Sequence, residues 1–320
     1  MYKIVFMGTP EIAAVVLRRL AQWPEGRIEL VVTHPDKPRG RKRVMQAPEV
    51  KVAAAALGLD VFQPERVRDE DSVGRIQAAQ PDFLVVAAYG EFLPQSILKL
   101  PRIAPLNLHT SLLPAYRGAS PIATAILEGE EVTGVTTMWI SNRMDAGDIL
   151  LQASLPILGG ETTGELETRL APLGAELMVR TLEGFRGNDD TMPRVVQDEQ
   201  KATFAGKFSK EDGGLDWSKP ALRLEREVRA FNPWPGSYTH FAWHDRRMLL
   251  KVHRAKALDA VLDAPAPGSL VDAPAGRLIV AAGEGTQLEL LQVQPEGKRA
   301  MSAEEFSRGY PLSVGVCLGG

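Results

Sequence analysis

The sequence predicts an α/β domain with a Rossmann-like, doubly wound, mostly parallel sheet, followed by a small C-terminal β-barrel domain of OB-like type. Three observations lead to this fold class. A strand, an amphipathic helix and a second strand follow one another within residues 3–33, which is typical of the opening of such a sheet. Residues 84–88 (L-V-V-A-A) are apolar without alternation, as in a central parallel strand covered on both faces. Beyond residue 201, short β-rich stretches are separated by Gly, Pro and Asp, which favours a barrel.

The length of 320 residues favours two domains. Polar residues with little periodicity between residues 187 and 201 predict a linker, so we expect domains over residues 1–187 and 207–320 with a linker over 188–206. The single cysteine, Cys317, excludes an intrachain disulfide and fits a reducing compartment. The longest apolar run, residues 83–89, is far shorter than the roughly 20 residues that cross a bilayer. We therefore expect a cytoplasmic monomer that makes no membrane contact.

The secondary structure follows from periodicity and turn residues. The first strand is predicted at residues 3–7, and Thr9 is expected to cap a helix over residues 11–23 with Pro10 at its first position. The intervening turn lacks G-x-G-x-x-G, which argues against a dinucleotide enzyme. Further strands are predicted at residues 27–33, 60–62, 83–88, 103–108, 132–140 and 149–155, and helices at 48–57, 69–79, 94–99, 119–128 and 163–185. In the C-terminal part, a helix at 220–231 precedes strands at 237–243, 247–255, 268–272, 277–281 and 286–293.

A cluster of basic residues lies in the polar loop predicted at residues 34–46. Its members fall within seven positions: Lys37, Arg39, Arg41, Lys42 and Arg43. The net charge of −3 argues by itself against a nucleic-acid partner. The cluster is therefore either a solvated loop or a local contact for phosphates.

Chemically, the richest stretch is N-L-H-T-S-L-L-P-A-Y-R-G at residues 107–118. Asn107 and His109 are two apart at the end of a predicted strand, so both side chains share one face about 6.6 Å apart. An amide and an imidazole on one face can converge on a single oxygen, as required to stabilise an oxyanion. Asp145, in a turn after the next strand, is expected to reach the imidazole and orient it.

Other kinds of active site find no support in the sequence. Cys317 lies in the tail, and Ser111 and Ser120 lack a G-x-S-x-G setting, so no nucleophile is predicted. His240 and His244 fall in a predicted strand, where four residues span about 13 Å, too far to share a metal. We therefore predict no metal, and a tetrahedral intermediate that forms without a covalent acyl-enzyme.

These motifs resemble those of a known family. Residues 107–118 resemble the N-x-H-x-S-L-L-P-x-x-R-G signature of the folate-dependent formyltransferases, and M-D-A-G-D at 144–148 resembles their M-D-x-G-D segment. Thr110 and Ile12 depart from the usual pattern, and the basic loop is about one residue shorter after Arg41. Six further stretches resemble the members that formylate initiator methionyl-tRNA: F-M-G-T-P (6–10), P-D-K-P-R-G-R (35–41), A-Y-G (88–90), K-F-S-K-E-D (207–212), F-N-P-W-P (231–235) and G-K-R-A-M (297–301).

The resemblance implies an activity and a role for each site residue. The formyl group of 10-formyltetrahydrofolate would pass to the α-amino group of methionine on initiator methionyl-tRNA. The catalytic residues would be Asn107, His109 and Asp145. The folate pocket would involve Tyr89, Gly90, Ser111, Leu112, Leu113 and Pro114. Contacts to tRNA would come from the C-terminal barrel and from Lys37, Arg39, Arg41, Lys42, Arg43, Lys207 and Lys210.

Three alternatives stay open from sequence alone. The same catalytic residues serve relatives that formylate small amines, such as a ribonucleotide or an amino sugar, or that hydrolyse the folate; the basic loop and the second domain favour tRNA. An oxidoreductase could share the α/β plan, although the dinucleotide fingerprint is missing. A non-catalytic RNA-binding module is the third alternative, and an assay of formyl transfer separates it from the others.

Overall fold

The computed structural model describes residues 1–39, 44–185, 192–271 and 276–319, which form two compact units. The first unit contains residues 1–121, 132–156 and 167–206. The second contains residues 122–131, 157–166 and the chain from residue 207 onward. Each unit therefore combines segments that are distant in the sequence.

The elements of the first unit alternate between strand and helix over much of its length. Its strands are β1 (Tyr2–Gly8), β2 (Gly26–Val32), β3 (Lys37–Arg39), β4 (Val44–Gln46), β5 (Val61–Phe62), β6 (Phe83–Ala87), β7 (Ala104–His109), β8 (Arg117–Gly118), β9 (Val132–Trp139), β10 (Ile149–Pro156) and β11 (Phe204–Ala205). Its helices are α1 (Glu11–Leu20), α2 (Glu49–Ala56), α3 (Glu70–Ala78) and α4 (Gln95–Leu98). Two more helices, α5 (Pro121–Glu128) and α6 (Thr163–Gly184), have residues in both units.

A seven-stranded sheet organises the first unit in the order β10-β9-β7-β6-β1-β2-β5. The five strands from β7 to β5 run parallel, whereas β9 and β10 are antiparallel to their neighbours. All five residues of β6 are buried, which explains its apolar run without alternation. The predicted Rossmann-like, mostly parallel sheet is confirmed, and it brings the ends of β6 and β7 together at one edge.

Two local predictions near the N-terminus differ from the structure. Helix α1 has Pro10 at its N-cap without a side-chain hydrogen bond, so the predicted cap by Thr9 is wrong; the Thr9 hydroxyl instead lies 3.4 Å from the carbonyl oxygen of Tyr89. The predicted polar loop contains a hairpin, since β3 pairs antiparallel with β4. Strands of three residues are too short to leave a periodic pattern in the sequence.

From residue 207 onward, the described part of the second unit consists mainly of antiparallel strands, with one helix before them and one after them. Its elements are α7 (Ala221–Ala230), β12 (Ser237–Trp243), β13 (Arg246–Leu258), β14 (Leu278–Ala281), β15 (Gln287–Pro295), β16 (Met301–Ser302) and α8 (Ala303–Gly309). The strands pair in the order β12-β13-β15-β14, and β16 also pairs with β15. Apolar residues of both helices, among them Leu224, Val228 and Phe306, join the strands in one core. The β-rich second domain is therefore confirmed as an antiparallel structure.

Each helix in the described residues is too short or too polar to cross a membrane.

Candidate active site

A cavity of about 470 Å³ opens in the first unit beyond the carboxyl ends of β6 and β7. Ligands of open α/β sheets bind at this edge. Much of its wall is apolar and comes from Tyr89, Phe92, Leu93, Met138, Ile140 and Met144. Its polar lining includes Asn107, His109 and Asp145. The structure thus brings the three predicted catalytic side chains to one cavity, where apolar walls meet a small polar group.

Strand β7 carries two of these residues at the middle of the sheet. Asn107 is flanked by Val86 of β6 and Met138 of β9, and both Asn107 and His109 line the cavity. Among the described residues, no protein group hydrogen-bonds to the Asn107 side-chain amide. Since it has no such partner, the amide can donate to a ligand without first breaking another hydrogen bond. Its position is fixed because β7 is paired on both sides at Asn107.

The imidazole of His109 is buried, with 6% of the residue exposed. Its Nε2 lies 2.9 Å from the carbonyl oxygen of Tyr116. A carbonyl only accepts, so Nε2 carries a hydrogen and donates it. Nδ1 faces the Asp145 carboxylate, with 3.7 Å between Nδ1 and Oδ2. This separation is longer than a hydrogen bond, so in this structure the Tyr116 carbonyl orients the ring and Asp145 supplies nearby negative charge.

Asp145 lies in the turn between β9 and β10, in the left-handed region with a φ of 50°. Its Oδ2 accepts a 2.8 Å hydrogen bond from the backbone N–H of Gly118. Its carbonyl oxygen accepts a 2.8 Å hydrogen bond from the side chain of Gln197. Both ends of the residue are therefore fixed by groups that are distant in sequence.

The predicted folate-pocket residues divide into two groups. Tyr89 and Gly90 line the cavity, whereas residues 111–114 are not among its lining residues. Ser111 is fully buried and donates to the carbonyl of Ala115 at 2.6 Å. The N–H of Leu113 donates to the Thr136 hydroxyl at 3.1 Å. These contacts hold Leu112, Leu113 and Pro114 in a loop next to the strand end, outside the wall itself.

The rim at Tyr89 is fixed by stacking and burial. The ring of His34 stacks on the Tyr89 ring with 5.0 Å between centroids, and His34 Nε2 lies 2.8 Å from the Tyr89 carbonyl oxygen. Burial raises the pKa of the Tyr89 hydroxyl, and the Glu91 carboxylate adds to this. The hydroxyl is buried and has no hydrogen-bond partner in the described part of the chain. Tyr89 therefore serves the rim through its ring.

The described residues include four of the seven basic residues predicted to contact tRNA. Lys37 is exposed on β3, and Arg39 ends the same strand. Arg41, Lys42 and Arg43 lie outside the described residues. Lys207 and Lys210 are exposed in the second unit.

Several residues of the site were missed by the sequence reasoning. The apolar wall formed by Phe92, Leu93, Met138, Ile140 and Met144 could have been inferred in part, since Met138 and Ile140 follow from a strand adjacent to β7. Gln197 lies in a polar segment without periodicity, which gave no signal. Within residues 1–39, 44–185, 192–271 and 276–319, no group of three His, Cys, Asp or Glu side chains could hold a metal ion.

Solved structures of low sequence identity share the fold. The sugar 3N-formyl transferase WlaRD, in the presence of dTDP and 5-N-formyl-THF, superposes with a TM-score of 0.63 at 15% identity, over 93% of this chain and 99% of that one. HypX from Aquifex aeolicus in complex with tetrahydrofolic acid superposes with a TM-score of 0.62 at 16% identity, over 98% of this chain and 48% of that one.

Sequence comparison is more specific. The family described as "Formyl transferase" matches residues 2–182, and "Formyl transferase, C-terminal domain" matches residues 207–311. The methionyl-tRNA formyltransferase of Bacillus licheniformis is 43% identical over 100% of this chain and 98% of its own length. That of Roseiflexus castenholzii is 44% identical over 99% of both chains. The resemblance found in the motifs is confirmed: the chain belongs to the formyl transferase family and, within it, to the methionyl-tRNA formyltransferases.

Proposed function

We propose that the chain transfers the formyl group of 10-formyltetrahydrofolate to the free α-amino group of methionine on initiator methionyl-tRNA, for the initiation of protein synthesis. One observation carries this proposal: Asn107, His109 and Asp145 line one cavity of a chain that is 43–44% identical to methionyl-tRNA formyltransferases. Such an arrangement suits a reaction in which a carbonyl oxygen becomes an oxyanion.

The proposed reaction needs no covalent enzyme intermediate. The amine nitrogen attacks the formyl carbon, and the carbonyl electron pair moves onto oxygen to give a tetrahedral intermediate. The Asn107 amide donates to this oxygen; removing such a donor typically slows a reaction by roughly 10²–10³-fold. When the intermediate collapses, the bond from carbon to N10 breaks, and the proton lost by the amine ends on N10.

His109 and Asp145 have linked roles in this proposal. Because Nε2 of His109 donates to Tyr116, Nδ1 is the ring nitrogen left for the reacting groups. We assign to Nδ1 the hydrogen bond to the oxyanion, with the Asp145 carboxylate 3.7 Å from that nitrogen. We also assign to Asp145, through a water molecule, help with the proton that moves from the attacking amine toward N10.

The folate co-substrate fits the chemistry of the cavity. A flat heterocycle and an aromatic ring require apolar walls with a few fixed polar groups, and the cavity combines both. We propose that Tyr89 and Gly90 contact the folate at the rim. Residues Ser111, Leu112, Leu113 and Pro114 would contribute indirectly, by supporting the end of β7 through the buried contacts of Ser111 and Leu113.

We assign the tRNA contacts to basic residues of both units. Lys37, Lys207 and Lys210 are exposed, as phosphate contacts require. Arg39, Arg41, Lys42 and Arg43 complete the set by their positions in the sequence. Binding through phosphates should weaken steeply as salt rises.

The proposed domain organisation assigns catalysis to residues 1–187, a connecting role to 188–206 and tRNA binding to 207–320. The limits of the two family matches, which end at residue 182 and begin at residue 207, support these boundaries. We further propose that the protein acts in the cytoplasm as a monomer.

A small amine as the acceptor has less support. Relatives 43–44% identical over nearly the whole chain are methionyl-tRNA formyltransferases, whereas the sugar 3N-formyl transferase WlaRD is 15% identical.

A direct assay tests the proposed function. The full chain is incubated with 10-formyltetrahydrofolate and charged initiator methionyl-tRNA, and formylmethionine released from the tRNA is quantified. Elongator methionyl-tRNA and an amino-sugar nucleotide serve as matched alternative acceptors. We expect rapid formylation of the initiator tRNA and far less of either alternative. Equal use of the sugar nucleotide, or no transfer at all, would contradict the proposal.

A further inference from the structure

Gln197 makes an unusual set of hydrogen bonds for a residue in a segment without periodicity. It is buried, with 6% exposed. Its Nε2 donates to two backbone carbonyls of the catalytic turn, that of Asp145 at 2.8 Å and that of Gly147 at 2.6 Å. Its Oε1 accepts from Nε of Arg117 at 3.0 Å. Both amide hydrogens and the amide oxygen are therefore used, which fixes the side chain in one orientation.

Arg117 connects Gln197 to the segment that contacts the Asp145 carboxylate. The residue is 2% exposed, and its two terminal nitrogens donate to the two carboxylate oxygens of Glu199 at 3.2 and 3.0 Å. The next residue, Gly118, donates its N–H to Asp145. One connected set of hydrogen bonds thus reaches Asp145 from both its carbonyl and its carboxylate.

Gln197 belongs to a segment, residues 195–205, that is here called the strap. Backbone hydrogen bonds hold this segment at both of its ends. Val195 exchanges two backbone hydrogen bonds with Ile149, at 2.8 and 2.9 Å. At the other end β11 pairs with β8, and Arg117 donates its N–H to the carbonyl of Thr203 at 2.9 Å. The strap therefore lies against the elements that flank the Asp145 turn, and Gln197 extends from it into the turn.

The turn requires such support. Asp145 has a φ of 50°, a conformation that is unfavourable for a residue with a side chain. Strain of this kind persists only where surrounding contacts hold it. The two carbonyls that accept hydrogen bonds from Gln197 belong to the strained Asp145 and to Gly147, two positions further on.

We propose that Gln197 is a positioning residue for catalysis, which holds the Asp145 turn so that its carboxylate stays directed at His109. Of the residues to which Gln197 hydrogen-bonds, Asp145 is the one that lines the cavity. Gln197 therefore acts on the site through the backbone of Asp145. The inference rests on the catalytic role proposed for Asp145. It makes the strap part of the active site rather than a passive connection.

The alternative is that Gln197 only anchors the strap. In that case its loss would lower the free energy of unfolding and leave the turnover of the folded enzyme unchanged. A misplacement of about 1 Å at a reacting group can slow a reaction by roughly 100-fold, so a positioning role predicts a loss of kcat.

The test uses Gln197→Met, which keeps the length of the side chain but has no N–H donor. We expect kcat for formyl transfer to fall about 10- to 100-fold, with KM for folate and for tRNA within about twofold. Ser72→Ala is the control: Ser72 is buried and its hydroxyl donates at 3.0 Å to the Arg66 carbonyl, and neither residue lines the cavity. This control should keep the wild-type kcat. Unchanged kcat in folded Gln197→Met would overturn the proposal.

A double variant separates this inference from the proposed role of Asp145. If Gln197 acts through Asp145, Gln197→Met combined with Asp145→Asn should be no slower than Asp145→Asn alone. Fully additive losses would show that Gln197 does not act through that carboxylate. Near-wild-type turnover in Asp145→Asn would instead remove the catalytic role of Asp145, whatever Gln197 does. Thermal unfolding of each variant shows whether the comparison concerns folded protein.

Discussion

Two regions supply the three predicted catalytic side chains of the cavity, and they are held in place by different means. The end of β7 presents Asn107 and His109 from a strand with paired neighbours on both sides. The turn after β9 presents Asp145 from a left-handed backbone conformation. The strand end is positioned by regular sheet hydrogen bonds, whereas the turn is positioned by Gly118 and by the side chain of Gln197.

These two kinds of support differ in how sensitive they are to changes elsewhere in the chain. A side chain on a central strand moves only if the sheet moves, so substitutions there should affect chemistry directly. A side chain on a strained turn depends on each contact that holds it.

The largest effect is expected at the strand end. Asn107→Ala should lower kcat by roughly 10²–10³-fold because it removes a donor to the oxyanion. Since the amide has no partner among the described residues, the free energy of unfolding should change by less than about 1 kcal/mol. Steady-state kinetics and thermal unfolding measure the two quantities. Near-wild-type kcat both here and in His109→Ala would contradict the proposed site.

The next effect is expected at Gly118, where the turn is joined to the strap. A Cβ at this position would lie 2.5 Å from the carbonyl oxygen of Ala205, and the φ of 116° is unfavourable for any side chain. Gly118→Ala should therefore destabilise the fold by about 1–3 kcal/mol and displace the N–H that holds Asp145. Gly58→Ala is the control, since its φ is 67° with open space around it. Denaturant unfolding should show a smaller loss for the control; equal losses would contradict the clash.

A smaller effect with a defined pH dependence is expected at Glu199. The hydrogen bond from Arg117 is the main cause that lowers the pKa of Glu199 below its ordinary value of 4.5. A lowered pKa means that Glu199 stabilises the fold above pH 4.5, and that this contribution is lost as the pH falls through the folded-state pKa. Glu199→Gln should thus be less stable than wild type at neutral pH, with the difference shrinking below pH 4.5.

The matched control for Glu199 is Glu176→Gln. A hydrogen bond from Arg19 likewise lowers the pKa of Glu176, but that pair is not in contact with the turn. Both variants should show the same sign of pH-dependent stability in thermal unfolding. Only Glu199→Gln should also lower kcat, because Glu199 contacts Arg117 and Glu176 contacts Arg19 instead. A loss of kcat in both variants would argue against a local effect on the turn.

The smallest effect is expected at the apolar rim. The Tyr89 hydroxyl is buried without a partner in the described residues, and burial raises its pKa, so the group remains neutral. Tyr89→Phe should leave the free energy of unfolding unchanged or raise it by up to about 1 kcal/mol, because an unsatisfied polar group is removed. KM for the folate should not change. A clear loss of stability or of folate affinity would show that the hydroxyl has a partner.

Much of the fold could be predicted from the sequence because its signals are local. The buried strands β1, β6 and β7 were located to within about one residue from contiguous apolar runs. The hairpin of β3 and β4 was missed because its strands have three residues each. Helix α8 was missed although Ser302 and Glu305 form a capping box, a signal present in the sequence.

For the site, the sequence indicated the side chains but not what holds them. The spacing of Asn107 and His109 implies a shared face because strand geometry is regular. The partner of Nε2 is a backbone carbonyl, that of Tyr116, which no residue pattern identifies. Gln197 contacts a turn 52 residues earlier in the chain, so only the tertiary fold could connect them.

We propose that the strand end and the Asp145 turn act together in formyl transfer. The most direct measurement of this joint role is the single-turnover rate of Asp145→Asn with saturating 10-formyltetrahydrofolate and initiator methionyl-tRNA. Asparagine retains an oxygen that can accept from Gly118, so the turn should persist while the charge is lost. The rate should fall by at least about 100-fold with unchanged affinity for both substrates. A rate within about threefold of wild type would contradict the account.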